Sequence, residues 1–509
     1  MRRLGLLACV LAPAVARAQL APVGVPAGMV RVDLDGALTS WDHRWRDGEK
    51  QPLGADLTSP ALGSDLLPSL GDADARIGRI TGLPDFRLNL GALRTDAQAD
   101  VGRGVLGVAV GLTNALTVFG RIPLVATHVQ SSLQLDPATA NAGANPGADE
   151  EAAFFSELDA SLAALSGRLA AGDFDSDPAL KAQAQATLEA GTAFRTDLFG
   201  LLSDPTTAAL FVPTAASPAG TAIAARVSDL QTTLATDFGV TGFTTPVVLA
   251  AEPVNSEDFV RLISEAGGPV GLRTDDSRVT FRGDAEAGLA LTLADRWDRG
   301  KHRGGFRAAV EGLVRFPTGR VARPDRLFAL GTGEGNTDIG LRLTADLGSG
   351  AWGFRAEGAY ERRLAADYLV RVAPPTQPLA SIDLLSVVRR DPGDVVSLAV
   401  RPFFRLAPTL AIQGSAMRWS RGADQASYAS LGDSVPGVPA SVVASDSKAS
   451  ATLVGIGITY SNPGLLRPGG RGLPVDAGWM YERVVHASGG IVPDRHAMRA
   501  MLRLYFGLF

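Results

Sequence analysis

Apolar and polar residues alternate with a period of two over long stretches of the chain after residue 281. The segment 338–347 is the clearest case. The segments 306–316 and 352–361 repeat it, each with one apolar face and one polar or charged face. Alternation of this kind predicts β-strands whose two faces meet different surroundings. Strands in soluble domains average about 5–6 residues, whereas a tilted membrane-spanning strand needs about 10, so these segments favour strands that cross a membrane.

The alternating segments amount to about twelve strands, and an even number is usual for bacterial membrane barrels. Their connections are short near 113–115 and 348–350 but long near 46–100 and 130–281. Short turns at one end and long loops at the other are typical of outer-membrane barrels. The predicted fold class is therefore an all-β membrane barrel of antiparallel strands in up-and-down order. The strands are predicted near 29–41, 102–112, 116–129, 283–296, 304–317, 336–347, 351–363, 394–406, 410–420, 450–460, 474–486 and 497–509.

The segment 86–95 also alternates, with Phe86, Leu88 and Leu90 on one side. We assign it to the first long loop, because a separate strand there would make the number of strands odd. The predicted number of strands depends on this assignment.

Residues 131–280 show a different periodicity. Phe155, Leu158 and Leu162 follow the spacing of one helix face, and further segments of the same kind follow along the region. They predict a mostly helical insertion in the second extracellular loop, which either caps the mouth of the barrel or enters its lumen. The predicted organisation is a signal peptide at 1–18, N-terminal strands with a long first loop at 19–130, the helical insertion at 131–280 and C-terminal strands at 281–509.

Both ends of the chain carry features of an exported membrane protein. Arg2 and Arg3 precede an uncharged, mostly apolar stretch at 4–16, which predicts a signal peptide that is cleaved after Ala18. The last strand ends in an aromatic residue, Phe509, which resembles the terminal signal of outer-membrane barrels. The sequence thus predicts location in the cell outer membrane, with membrane lipid and the barrel-assembly machinery as partners.

Composition limits the remaining functions. The chain has 48 basic and 53 acidic residues and a net charge of −5, so it lacks the basic surplus that binding to a nucleic-acid backbone requires. Its one cysteine, Cys9, lies in the predicted signal peptide, which leaves no thiol for a disulfide or a metal. The five histidines are not spaced as metal ligands. We therefore expect no nucleic-acid partner, no metal and no cofactor.

Five short segments carry a family resemblance: GLTNAL at 111–116, RIPL at 121–124, GDAEAG at 283–288, FPTG at 316–319 and LGTG at 330–333. They resemble the turn-and-strand units of outer-membrane transporters related to the meta-pathway phenol-degradation type, a family of channels for hydrophobic compounds. The resemblance implies a channel or transporter for small, often hydrophobic or aromatic, solutes. The long helical insertion departs from the pattern of that family.

Charged residues of both signs occupy the strand face that is predicted to line the barrel lumen. Such a charged wall can tune the selectivity of a channel. The alternative is that opposite charges pair and fill a narrow lumen. The candidates for solute selectivity are Arg121, Asp284, Glu286, Arg307, Glu311, Arg315, Asp338, Arg342, Arg355 and Glu357.

Two other functions stay open alongside a channel that performs no chemistry. One is an outer-membrane lipid hydrolase, because His486 and Ser488 form a His-x-Ser pair, although no orienting third group follows at the expected spacing. The predicted alternation places this pair on the lumen face with Asp476 and Glu482. The other is a surface barrel that binds a partner without transport.

Overall fold

Twelve antiparallel strands close into one barrel in the described part of the chain. The computed structural model describes residues 22–298, 304–373, 377–462 and 474–508. Strands that follow one another along the chain are neighbours in the sheet, and the first strand pairs with the last. The predicted up-and-down membrane barrel is thus confirmed. The predicted signal peptide, its cleavage site and Phe509 lie outside the described residues.

The strands follow the alternating segments closely. They are β1 (Met29–Trp41), β2 (Ala92–Gly111), β3 (Leu116–Asp136), β4 (Ala285–Asp298), β5 (Gly304–Phe316), β6 (Asp338–Ser349), β7 (Trp352–Arg363), β8 (Val395–Ala407), β9 (Leu410–Arg421), β10 (Ala449–Ser461), β11 (Val475–Gly489) and β12 (His496–Gly507). Shorter strands are His43–Arg46, Glu49–Pro52, Ala142–Ala144, Phe211–Pro213, Ser277–Arg282, Ala366–Arg371, Leu385–Asp391, Gln425–Tyr428 and Ile491–Pro493. We call the end of the barrel with the long connections the loop end and the opposite end the turn end.

The hairpin of β2 and β3 is longer than predicted. The two strands pair without a register shift from Ala92 opposite Asp136 to Gly111 opposite Thr117. The assignment of 86–95 to a loop was therefore wrong for residues 92–95. Their alternation belongs to the start of β2 and not to a separate strand, so the number of barrel strands stays even.

The outer surface of the barrel is apolar. In β6, Ile339, Leu341 and Leu343 are each about half exposed. Asp338 and Arg342, which belong to the opposite face of the strand, are buried inside. Soluble proteins rarely expose apolar surface that continues from strand to strand. Closure also leaves no open sheet edge, as lipid requires. The alternation in the sequence therefore separates a lipid-facing surface from an inner one.

One strand is interrupted where it enters the loop end. Ser277–Arg282 and β4 both pair with β3, and the interruption falls at Gly283 and Asp284. The predicted strand start at residue 283 is corrected to Ala285. Gly283 keeps a hydrogen bond to the carbonyl oxygen of Pro123, at 2.8 Å. The Asp284 carboxylate accepts hydrogen bonds from the backbone N–H groups of Gly319 and Glu334, each at 2.8 Å. The interruption thus ties a loop to the inner wall.

Five helices in the described residues form one unit at the loop end, which we call the helical cap. They are α1 (Leu70–Thr81), α2 (Ala148–Ala171), α3 (Pro178–Leu202), α4 (Pro218–Thr236) and α5 (Ser256–Ser264). Ile77 of α1 packs in the same apolar core as Leu158 and Leu198, together with Leu93 and Leu135 from the ends of β2 and β3. The cap therefore includes a helix from the first long loop and does not coincide with the predicted insertion at 131–280.

Local sequence explains where the cap helices begin and end. Asp177 precedes α3 and accepts hydrogen bonds from the N–H groups of Ala179 and Leu180, and Pro178 fits the first turn. Gly172 ends α2 in the left-handed conformation with a φ of 82°. Among the helices of the described residues, none has both the length and the apolar content to cross a membrane.

A buried carboxyl makes the stability of the cap depend on pH. Burial raises the pKa of Glu151 to about 7. The side chain is 0% exposed, and its Oε1 accepts a hydrogen bond from Val248 N at 2.9 Å. Because the folded cap retains a proton that the unfolded chain loses around the ordinary value of 4.5, stability should fall as pH rises from about 4.5 to about 7. Glu151→Gln should remove this dependence in thermal melts followed by far-UV circular dichroism. The exposed Glu189→Gln is the control, and persistence of the dependence in Glu151→Gln would contradict the assignment.

Candidate functional site: the barrel lumen and its loop-end chamber

Buried ion pairs join neighbouring strands across the middle of the lumen. Glu286 on β4 lies 3.5 Å from Arg121 on β3 and 3.1 Å from Arg315 on β5. Arg315 also contacts Asp338 at 2.7 Å and Glu361 at 3.5 Å. Each of these side chains is less than 10% exposed. One arginine therefore contacts three carboxylates from three different strands.

A second group of pairs follows the strand register directly. Asp346 on β6 stands opposite Arg307 on β5 and Arg355 on β7, and it forms ion pairs with both. Arg355 also lies 4.0 Å from Glu357, which pairs in turn with Arg401 on β8. Residues that stand opposite each other on adjacent strands are the closest cross-strand neighbours. The order of charges along each strand thus decides which pairs form.

All ten predicted selectivity candidates lie on the inside of the barrel or at its inner loop-end wall. Nine of them form ion pairs. Glu311 and Arg342 are a further pair, in which the carboxylate lies 3.7 Å from the guanidinium group. Asp284 is the exception, because its carboxylate accepts hydrogen bonds from backbone N–H groups of a loop. The structure adds inner charges that sequence reasoning missed, namely Arg103, Arg363, Arg401 and Arg499. Strand parity would have identified them, because each shares the face of buried residues on its own strand.

The N-terminal segment, residues 22–27, enters the barrel at the turn end. Val23 and Val25 pack in an apolar cluster with Phe119, Leu313 and other inner residues. The Arg31 guanidinium donates to the carbonyl oxygen of Val23 at 3.0 Å, and Val25 N donates to the hydroxyl of Thr117 at 2.9 Å. Since these groups come from the inner wall, the segment is held inside the lumen, where it lies beside Arg307 and Asp346 of the second ion-pair group.

We call the buried ion pairs of the inner wall together the ion-pair layer. A chamber of about 360 Å³ lies at the loop end above this layer. The helical cap borders it through Leu57 and Leu272, which belong to the apolar core of the cap. We call the inner end of the chamber its floor, and Arg103 on β2, Arg315 on β5 and Arg499 on β12 lie there. On β2, Arg103 lies further into the barrel than Val101, which also lines the chamber. The apolar side chains of its wall include Leu53, Val101, Val125, Phe328, Leu330 and Val370.

The His486 and Ser488 pair faces the outside of the barrel, so its predicted placement on the lumen face was wrong. A register shift between β10 and β11 leaves Val485 without an opposite residue, and the inner positions pass from Val484 to Ala487. Ser488 shares a hydrogen bond with Ser450 at 2.9 Å. His486 makes an edge contact with Trp45, with ring centroids 6.1 Å apart, and no hydrogen bond to Ser488 is present.

The described residues contain no group of three His, Cys, Asp or Glu side chains arranged to hold a metal ion.

No family model and no curated protein matches the sequence. Among solved structures, an outer-membrane channel from Pseudomonas putida F1 is similar, with a TM-score of 0.43 and 10% identity over 96% of this chain and 100% of that one. The toluene transporter TodX of Pseudomonas putida has a TM-score of 0.25 and 11% identity over 95% and 90% of the two chains. The transport unit of the autotransporter AIDA-I from Escherichia coli has a TM-score of 0.31 and 7% identity over 96% and 93%. At such low identities, the residues of this chain have to carry any statement about function.

Removing the central carboxylate of the first ion-pair group should destabilise the barrel. Glu286→Gln leaves Arg121 and Arg315 without a shared partner in a buried layer, and breaking a buried pair costs about 3–5 kcal/mol. Asp325→Asn is the control, because Asp325 pairs with Arg323 on the surface, where pairs contribute about 0–1 kcal/mol. Denaturant unfolding of the detergent-solubilised protein measures both changes. Equal effects of the two substitutions would show that the inner layer does not depend on Glu286.

Proposed function

We propose that the protein is an outer-membrane channel that takes up small hydrophobic or aromatic solutes through the loop-end chamber. The observation that carries the proposal is the chamber itself. Apolar surface predominates in its wall, and the charged side chains, most of them arginines, lie at the floor and elsewhere along the wall. An apolar wall with placed polar groups is the usual composition of a small-molecule site. A chamber of about 360 Å³ falls within the range of about 300–1,000 Å³ that such sites occupy.

The orientation of the barrel supports uptake from outside the cell. Bacterial outer-membrane barrels have short periplasmic turns and long extracellular loops. The loop end of this barrel therefore faces the medium, with the helical cap over the chamber, and the turn end faces the periplasm. A solute that enters the chamber from the medium meets the ion pairs around Arg315 next, and then the N-terminal segment beside Arg307 and Asp346.

The ion-pair layer and the N-terminal segment define the closed state of the channel. We assign the ten inner charges, from Arg121 to Glu357, to the selectivity of this path. Passage requires the N-terminal segment to leave its place, because Val23 and Val25 occupy the lumen at the turn end. The barrel strands do not depend on this segment for their pairing, so it is suited to act as the gate.

We propose no catalytic step. A nucleophilic serine needs a base within hydrogen-bond reach and a group that orients this base. Ser488 is bonded to Ser450 instead, and the ring contact of His486 is with Trp45.

The chamber should bind a neutral aromatic solute. We expect Leu330→Glu to weaken binding of 4-phenylbutan-1-ol by about tenfold or more, because it places a charge in the apolar wall. Leu431→Glu is the control, since Leu431 is 97% exposed in another loop. Equilibrium dialysis of the detergent-solubilised protein measures the dissociation constants. If the wild type shows no saturable binding, the chamber is not a solute site.

Expelling the N-terminal segment should open the lumen. The double variant Val23→Lys and Val25→Lys brings two positive charges next to Arg31, so the segment should leave the apolar cluster without disturbing the strands. Liposome swelling in arabinose should then be faster than with the wild type. Leu431→Lys serves as the control for added surface charge, and heat-modifiable gel mobility checks that each barrel is folded. Unchanged swelling of a folded double variant would exclude the segment as the gate.

A further inference from the structure

Arg103 is an arginine of the chamber that has no carboxylate partner in the described part of the chain. Arg103 lies on the inner face of β2 and is partly exposed to the chamber. It makes no ion pair and no hydrogen bond with any residue that the structure describes, unlike Arg315 and Arg499 beside it at the floor. Glu286 and Asp35 are the carboxylates whose charges act on it from the surrounding wall.

The strand register brings Arg103 close to a second cation. Ala37 on β1 stands opposite Arg103 on one side and opposite Arg499 on the other. Because alanine has a short side chain, only the methyl group of Ala37 lies between the side chains of Arg103 and Arg499. Arg315 and Arg499 are also the like charges that act on Arg103. Three arginines thus lie near one another at the floor, and Arg103 is the one of them without an ion-pair partner among the described residues.

A second donor lines the same chamber without an acceptor. Trp41 lies at the loop end of β1 and is 2% exposed, and its indole Nε1 has no hydrogen-bond partner in the described structure. Trp41 and Ala37 point to the same side of β1, four residues apart, which is about 13 Å along a strand. Buried donors in proteins are nearly always satisfied, so an unpartnered donor in a cavity wall indicates an acceptor that comes from outside.

We propose that the chamber selects amphipathic anions, with the anionic group on Arg103 and the apolar body along the wall towards Trp41. Carboxylate, sulfonate and phosphate groups all offer the acceptors that a guanidinium binds through paired hydrogen bonds. The apolar body is accommodated by Val101 and Val125, the inner residues nearest to Arg103 on β2 and β3. The proposal rests on the chamber function given above and names the chemical class of its solute.

Two probes of the same shape test whether the negative charge of the solute strengthens its binding. 4-Phenylbutyrate and 4-phenylbutan-1-ol share one apolar body and differ in the carboxylate. In equilibrium dialysis near neutral pH, the wild type should bind the carboxylate about tenfold tighter than the alcohol, since hydrogen bonds to charged groups are the stronger ones. Arg103→Gln should abolish this preference and leave the affinity for the alcohol unchanged. Arg103→Lys should restore part of it, because the positive charge is kept.

Arg79→Gln is the matched control. Arg79 pairs with Asp197 on the surface of the helical cap, away from the chamber lining, so its loss should leave the preference for the carboxylate intact. If the wild type binds both probes equally, or if Arg103→Gln keeps the preference, the anion proposal is overturned while the chamber remains a site for neutral solutes. If neither probe binds, the proposed function fails as well. Heat-modifiable mobility shows that each variant is folded.

Discussion

Closure of the sheet between β1 and β12 is the constraint on which the rest of the structure depends. In lipid, a backbone N–H or C=O group without a partner costs several kcal/mol, so a membrane-spanning sheet has to form a ring. The pairing from Met29 opposite Gly507 to Ser40 opposite His496 completes this ring. Once the ring is closed, each strand has one face towards lipid and one face towards the lumen. Everything the protein can bind or pass is decided by the inner face.

The inner face is crowded with charge, and this has a cost that only pairing offsets. A buried arginine or carboxylate without a partner is strongly unfavourable, so a narrow barrel with charged inner residues is stable only if opposite charges stand on adjacent strands. Arg307, Asp346 and Arg355 meet this condition through direct register, and Arg315 meets it by reaching three carboxylates. The result is a layer that supports the barrel and separates the chamber from the N-terminal segment.

Against this background, Arg103 is a departure that coincides with a cavity lined by both cap and barrel residues. A charge left without a partner beside a cavity differs from one left inside packed protein, because a solute can supply the missing acceptor. The surrounding features agree, since the wall is apolar and the Trp41 donor is unsatisfied. Stability and function thus make opposite demands along the lumen, with ion pairs between strands in the middle and an arginine without an ion pair at the floor of the chamber.

The sequence by itself determined the number of strands, their approximate bounds and the direction of their side chains, because alternation is a property of each strand alone. It predicted the inner location of charges such as Arg307, Glu311 and Arg315 for the same reason. Only the tertiary structure decided which charges meet, since this depends on the register between strands. It also decided that α1 joins the helical cap, through apolar contacts between residues far apart in the chain. The bulge at Val485 reverses the faces of His486 and Ser488, and the lack of a partner for Arg103 arises from the residues on β1 and β3. Neither feature can be predicted from the sequence of one strand, because both depend on the residues that stand opposite on the adjacent strand.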